Sequence, residues 1–186
     1  MLNDNSRSHA NALRAILAAV MIVLAAALRI APHPWNFTPI GAIALFSGAI
    51  FRDRRLASLF PLAALFTGDL FVGLYRLMPV IYASFLVNVL IGRWLAGHRT
   101  VARIGGAVFL GALQFFLVTN FAMWRAYNTF PHTLAGLGAC YLTGLPLFGN
   151  TLAGDAFYAV LFFGLFALAE RHWPAPRESA SAPTAL

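Results

Sequence analysis

The sequence predicts an all-α integral membrane protein with six transmembrane helices and both termini in the cytoplasm, and three observations predict it. First, 60% of the 186 residues are hydrophobic and 10% are charged, with a mean hydropathy of +0.75. That leaves too little polar surface for a soluble globule. Second, apolar runs recur along the chain, several near the ~20 residues that cross a ~30 Å hydrocarbon core. Third, the thirteen basic residues are all arginines and lie in the links between those runs. With the N-terminus inside, Arg7, Arg14, Arg52, Arg54, Arg55, Arg93, Arg99, Arg103, Arg171 and Arg177 are cytoplasmic, and Arg29, Arg76 and Arg125 are external. This positive-inside split reads the net charge of +7 as membrane orientation rather than nucleic-acid binding. The one cysteine, Cys140, excludes an internal disulfide framework and a multi-cysteine zinc site.

Taken in order, residues 1–11 are a polar tail. The first span, 12–31, is too long for a signal-peptide core and is read as an uncleaved helix. Its Ala15, Ala18 and Ala19 form a small-residue stripe suited to close helix contact, either within the bundle or with a separate membrane protein. The second span, 38–51, opens with Thr38 as N-cap and Pro39 at the first helical position, and is short for a crossing. The third, 56–75, follows the Arg52-Asp53-Arg54-Arg55 link and contains Pro61; the fourth, 79–96, stops at Gly97; the fifth is 101–124. The connection 126–149 is apolar but punctuated by glycine, and is read as an interfacial or re-entrant element capping the bundle. The sixth span is 150–169, and the Pro-, Ser- and Ala-rich tail to residue 186 reads as disordered.

The functional reading starts from Asp69, a full charge inside an apolar run. An aspartate at mid-helix costs about 2.5–3.5 kcal/mol even on the insertion scale, so it normally faces a protein interior or a polar cavity. Counting back from the span ends puts Asp69, Asn120 and Asp155 in one layer, roughly 6–9 Å below the outer boundary. Trp35, Asn36, Trp124 and Tyr127 surround that layer, and Arg125 and His132 supply charge beside it. Together these residues predict an outward-facing solute site. The alternative is structural: Asp69 and Asp155 pair with Arg76 and Arg125, and Asn120 bonds between helices. Thr67-Gly68-Asp69 and Ala153-Gly154-Asp155 also invite comparison with intramembrane aspartyl proteases, but neither has that family's Gly-x-Gly-Asp pattern. No Walker A, HExxH, GxSxG or paired-histidine motif occurs, so no enzymatic activity, cofactor or metal is predicted for this chain.

The stretch Asn36-Phe-Thr-Pro-Ile-Gly-Ala-Ile-Ala-Leu-Phe, the Arg52–Arg55 loop, Gly68-Asp69-Leu70-Phe71, Leu117–Phe121 and Asn150–Asp155 resemble a family of small bacterial membrane proteins described only as transport proteins. The architecture is also similar to the substrate-binding S components of energy-coupling-factor transporters. That resemblance implies capture of a small, vitamin-like solute from the outer face of the inner membrane. It further implies docking of the alanine-rich first helix, at Ala15, Ala18 and Ala19, on an energising membrane subunit served by separate ATPases. In cobalamin-type S components a cysteine thiolate holds cobalt, a role for which Cys140 is the candidate here; its other reading is an inert buried thiol. A self-sufficient proton-coupled carrier and a non-transporting scaffold are the remaining alternatives.

Overall fold

Eleven residues that are almost entirely apolar, Ile40–Ile50 (α1), form the axis of the molecule. The computed structural model describes residues 34–172 and, ahead of them, Ile16, Val20 and Ala27, which are helical and exposed. Every residue of α1 from Ile40 to Ala49 is buried. A helix that is hydrophobic all round finds no polar face to turn to solvent and is enclosed by its neighbours. Those neighbours are α2 (Arg54–Val72), α3 (Met78–Trp94), α4 (Val101–Ala126) and α5 (Leu134–His172). α1 packs most broadly on α3, then on α2 and α5, and α4 pairs with α5 to close the bundle.

Local chemistry sets the ends. Asp53 caps α2 by accepting the Arg55 N–H at 2.7 Å, and Thr100 caps α4 by accepting the Arg103 N–H at 3.3 Å. Gly73, at φ +98°, ends α2 in a backbone region that glycine enters without strain. Inside the bundle, Phe46 of α1 meets the rings of Phe162, Phe163 and Phe166 of α5 at centroid distances of 6.1, 5.2 and 5.5 Å. The α1–α3 crossing is closer still: a methyl group at Gly48 would overlap the Val89 carbonyl oxygen, and one at Gly92 would overlap that of Leu45.

The expectation of six transmembrane helices is overturned. The described residues form five helices, of which two, α4 and α5, are long and apolar enough to cross a membrane. At ~1.5 Å per residue the 11 residues of α1 reach only about 16 Å, so the predicted second span is a core helix. α3 is a 17-residue helix, and α2 carries Arg54, Arg55 and Asp69 within its 19 residues. The placement of both termini on one side counted six crossings and falls with them. The polar tail 1–11, the tail after residue 172 and the proposed docking residues Ala15, Ala18 and Ala19 lie outside the described residues.

The re-entrant connection is overturned as well. α5 runs unbroken for 39 residues through Gly144, Pro146 and Gly149, so the greater part of the expected connection, from Leu134 on, and the expected sixth span are one helix, about 58 Å long. Glycine and proline disfavour a helix interior by about 1 and 3 kcal/mol, and packing against α4 offsets this. Gly136 lets the Pro131 carbonyl approach, and Gly144 accommodates the Asn120 side chain. The Tyr141 hydroxyl donates to the Leu117 carbonyl at 2.8 Å, and Phe116 packs on Tyr141 and Phe148 at 5.5 and 5.1 Å. Gly144 is thus a contact point with α4, and Gly136 one with the α4–α5 turn, rather than breaks.

Candidate functional site

α1 begins without a cap of its own. Pro39 stands at its N-cap position and offers no side-chain acceptor to the first-turn amides. The acceptor comes from α5 instead: Asp155, 2% exposed, reaches across so that Oδ1 accepts the Ala42 N–H at 3.1 Å. A carboxylate at a helix N-terminus also gains from the helix dipole. Gly41 makes this approach possible, because a methyl group there would overlap both carboxylate oxygens.

The segment leading into α1 is fastened to the same stretch of α5. Asn36 adopts φ +64°, a left-handed conformation that asparagine tolerates, and the Phe37 N–H donates to the Pro34 carbonyl at 3.0 Å. Asn150 Nδ2 donates to the Trp35 carbonyl at 3.0 Å. Gly154 leaves room for the backbone of Phe37 and Thr38, each 3.2 Å from where its Cβ would stand. The Asn36–Phe46 and Asn150–Asp155 stretches, more than a hundred positions apart in the chain, therefore meet at one place.

Beside this junction lies a cavity of about 200 Å³. Asn36, Thr38, Gly41, Thr151 and Asp155 form one wall; Leu65, Tyr75, Ile81, Phe85, Asn88 and Phe115 form the others. Asp155 thus caps α1 through Oδ1 and is also part of the cavity lining. Opposite, Asn88 of α3 is 1% exposed, and its Oδ1 accepts Gln114 Nε2 at 2.8 Å while the same nitrogen donates to the Ser84 carbonyl at 2.9 Å. Gly111 gives the Asn88 amide its space. Phe85 and Phe115 face each other at 5.1 Å. Replacing Gln114 with leucine should strip the bond to Asn88 and destabilise the protein by about 1–3 kcal/mol, the cost of a buried amide left without its partner. Chemical denaturation in detergent measures this, and Gln114→Glu, which retains an oxygen but lacks the donating amide, should cost a similar amount.

Asp69 is fully buried and lies just behind the cavity wall. Its Oδ2 accepts the hydroxyls of Tyr82 at 3.0 Å and of Tyr75 at 3.3 Å. Tyr75 itself lines the cavity. Asp69 is thus a positioning residue for a wall tyrosine.

The remaining expected site residues gather elsewhere. Asn120 Nδ2 bonds its own helix at the Phe116 carbonyl, at 2.8 Å, and its side chain fills the notch at Gly144. Trp124 Nε1 donates to the Pro131 carbonyl at 2.9 Å, and His132 Nε2 lies 2.9 Å from the Trp124 carbonyl, with the two rings edge to face. These bonds tie the α4–α5 turn. Arg125 is exposed and Tyr127 half-buried near that turn, and Trp35 is 80% exposed. None of the five residues Trp35, Asn120, Trp124, Arg125 and His132 lines the cavity, nor does Tyr127. The Arg76 guanidinium donates to the Ala126 carbonyl at 2.7 Å. Cys140 is buried on the α4–α5 seam, with Sγ 3.5 Å from the Asn120 carbonyl oxygen. Among the described residues no group of three His, Cys, Asp or Glu side chains is placed to hold a metal ion.

Of the expected residues, Asn36 and Asp155 line the cavity and Asp69 adjoins it through Tyr75. Thr38, Asn88 and Thr151 were missed as site residues. Asn88 carried a usable signal: it is a buried amide in an otherwise apolar stretch of α3, Phe85–Ile91.

The chain belongs to a family of unknown function, DUF6580, whose sequence profile matches residues 9–176. No curated protein and no solved structure matches it.

Proposed function

We propose that this member of DUF6580 is a multi-pass protein of the bacterial inner membrane that binds a small solute in the cavity beside Asp155 and serves in its transport. One observation carries the reading: a buried carboxylate among apolar helices, bonded to the α1 N-terminus through one oxygen, also lines a cavity. A buried carboxylate is costly among apolar helices; the Ala42 N–H meets part of that cost, and a ligand in the adjoining cavity would meet more. The cavity combines apolar walls from Leu65, Ile81, Phe85 and Phe115 with polar groups from Asn36, Thr38, Asn88, Thr151 and Asp155, the mixture a solute site needs. Its ~200 Å³ lies below the roughly 300–1,000 Å³ of drug-sized sites, which favours a small solute over a cobalamin-sized one.

We assign the protein the part of a substrate-binding subunit. The chain has no nucleotide-binding motif, so energy for transport would come from a separate membrane subunit and its ATPases, docked on the alanine stripe at Ala15, Ala18 and Ala19. A proton-coupled carrier is the second reading, favoured by the absence of a counter-cation to Asp155 among the described residues. Uptake by the protein alone in vesicles, lost when the proton gradient is collapsed, would select it.

The solute-binding reading is tested by mass spectrometry of small molecules that co-purify with the wild type, with Asp155→Asn and with Leu65→Phe, which fills the cavity from α2. A compound retained by the wild type and lost from both variants is the expected result. Identical small-molecule profiles from all three folded proteins would overturn it.

A further inference from the structure

We infer that the solute is a small organic cation, a primary amine held as its ammonium. The inference rests on the reading of the cavity as a solute site and adds the charge and donor pattern of the occupant. Among the described residues the lining carries one charged group, the Asp155 carboxylate, and no arginine, lysine or histidine. Of the first-turn amides of α1, that of Ala42 is already taken by Asp155 Oδ1. An anion entering the cavity would meet the Asp155 carboxylate with no cationic side chain in the lining to offset it.

The neighbouring hydroxyl points the same way. Thr151 donates its own proton to the Leu147 carbonyl at 2.9 Å, so towards the cavity it presents lone pairs. Asp155 Oδ2 and Thr151 Oγ1 come from successive turns of one helix, at positions i and i+4, which share a face. Two acceptors on one face match a group with several N–H donors, and an ammonium has three. Phe85 and Phe115, packed on each other at 5.1 Å, supply aromatic wall for the solute's apolar body. Asn88, whose Oδ1 is held by Gln114, offers its amide nitrogen as a donor for a second polar group on the solute. The whole set describes an amine with a short apolar body.

Three probes of equal length separate charge from shape: n-butylammonium, 1-butanol and n-butyrate, each measured by equilibrium dialysis against the full chain in lipid nanodiscs, with empty nanodiscs subtracted. The ammonium should bind about tenfold tighter than either of the others, a difference of about 1.4 kcal/mol. Asp155→Asn should remove that preference, bringing the ammonium to the level of 1-butanol, and Thr151→Val should weaken the ammonium by about threefold. The comparison on the wild type decides the matter even if a variant fails to fold. Equal or tighter binding of 1-butanol or butyrate would overturn the assignment of a cation while leaving the cavity a solute site. Saturable binding of none of the three would overturn the solute site and the cation together.

Discussion

Gly92→Ala is expected to destabilise the protein by about 3 kcal/mol or more, and Gly48→Ala by a similar amount, whereas Gly106→Ala stabilises it by about 0.5–1 kcal/mol. At Gly92 the new methyl group meets the Leu45 carbonyl, and at Gly48 it meets that of Val89. Neither obstacle is the end of a flexible side chain. The axes of α1 and α3 must separate, and the broadest contact in the fold opens. Overpacking typically costs about 1–3 kcal/mol, and the upper end applies because the clash is with backbone on a helix buried all round. Gly106 has nothing within 4 Å of its would-be Cβ, so alanine there gains helix propensity without a clash. Equilibrium unfolding of the three variants in one detergent compares them directly. Equal behaviour of Gly92→Ala and Gly106→Ala would mean that α1 and α3 do not cross at these glycines.

The second large effect concerns Gly41 and Asp155 as a pair. Gly41→Ala should eject the carboxylate from the α1 N-terminus, because the methyl group and both carboxylate oxygens compete for one space. The Ala42 N–H then loses its acceptor, at a cost of about 1–3 kcal/mol for a buried amide, and solute retention is lost with it. Asp155→Ala should cost a similar amount for the same reason, with some addition for the space vacated. Asp155→Asn keeps an oxygen for Ala42 and should cost about 1 kcal/mol or less while still abolishing the charge. The two alanine substitutions are not independent. Once Asp155 is alanine there is nothing for the Gly41 methyl to strike, so the double variant should be less destabilised than the sum by about 1–3 kcal/mol. Additive costs in that cycle would remove Asp155 from the α1 N-terminus.

Part of this site could be read from residues alone: Asn36 and Asp155 line the cavity and Asp69 adjoins it, while the other six expected residues lie elsewhere. Asp69 and Asp155 stood out because a charge inside an apolar run must be accommodated, and both are buried and bonded. Asn36 was drawn in with the segment it belongs to, and that segment does meet Asn150–Asp155. The shared-depth argument worked less well. It treated each apolar run as a separate straight crossing, so it placed Asn120 level with Asp155. With α5 continuous, Asn120 instead faces Gly144, about three turns of α5 before Asp155. The same assumption made Gly136, Gly144, Pro146 and Gly149 look like a broken connection. Intrinsic propensity opposes a helix there, and contact with Pro131, Phe116, Leu117 and Asn120 prevails. α1 misled for a related reason. A short, wholly apolar helix has the same composition whether lipid or protein surrounds it, and only its 11-residue length argued for protein.

The account turns on whether an open cavity exists beside Asp155 when the protein is in a membrane. Leu65 and its neighbour Ala64 are 1% and 0% exposed on the same helix, and of the two only Leu65 lines the cavity. In a Cys140→Ala background, Leu65→Cys and Ala64→Cys should therefore differ sharply in reaction with methanethiosulfonate ethylammonium applied to proteoliposomes. Labelling of Leu65→Cys at least about tenfold faster than Ala64→Cys, and slowed by Asp155→Asn, is the predicted result. Equal, negligible labelling of both would show that no solute reaches this cavity and would contradict the account.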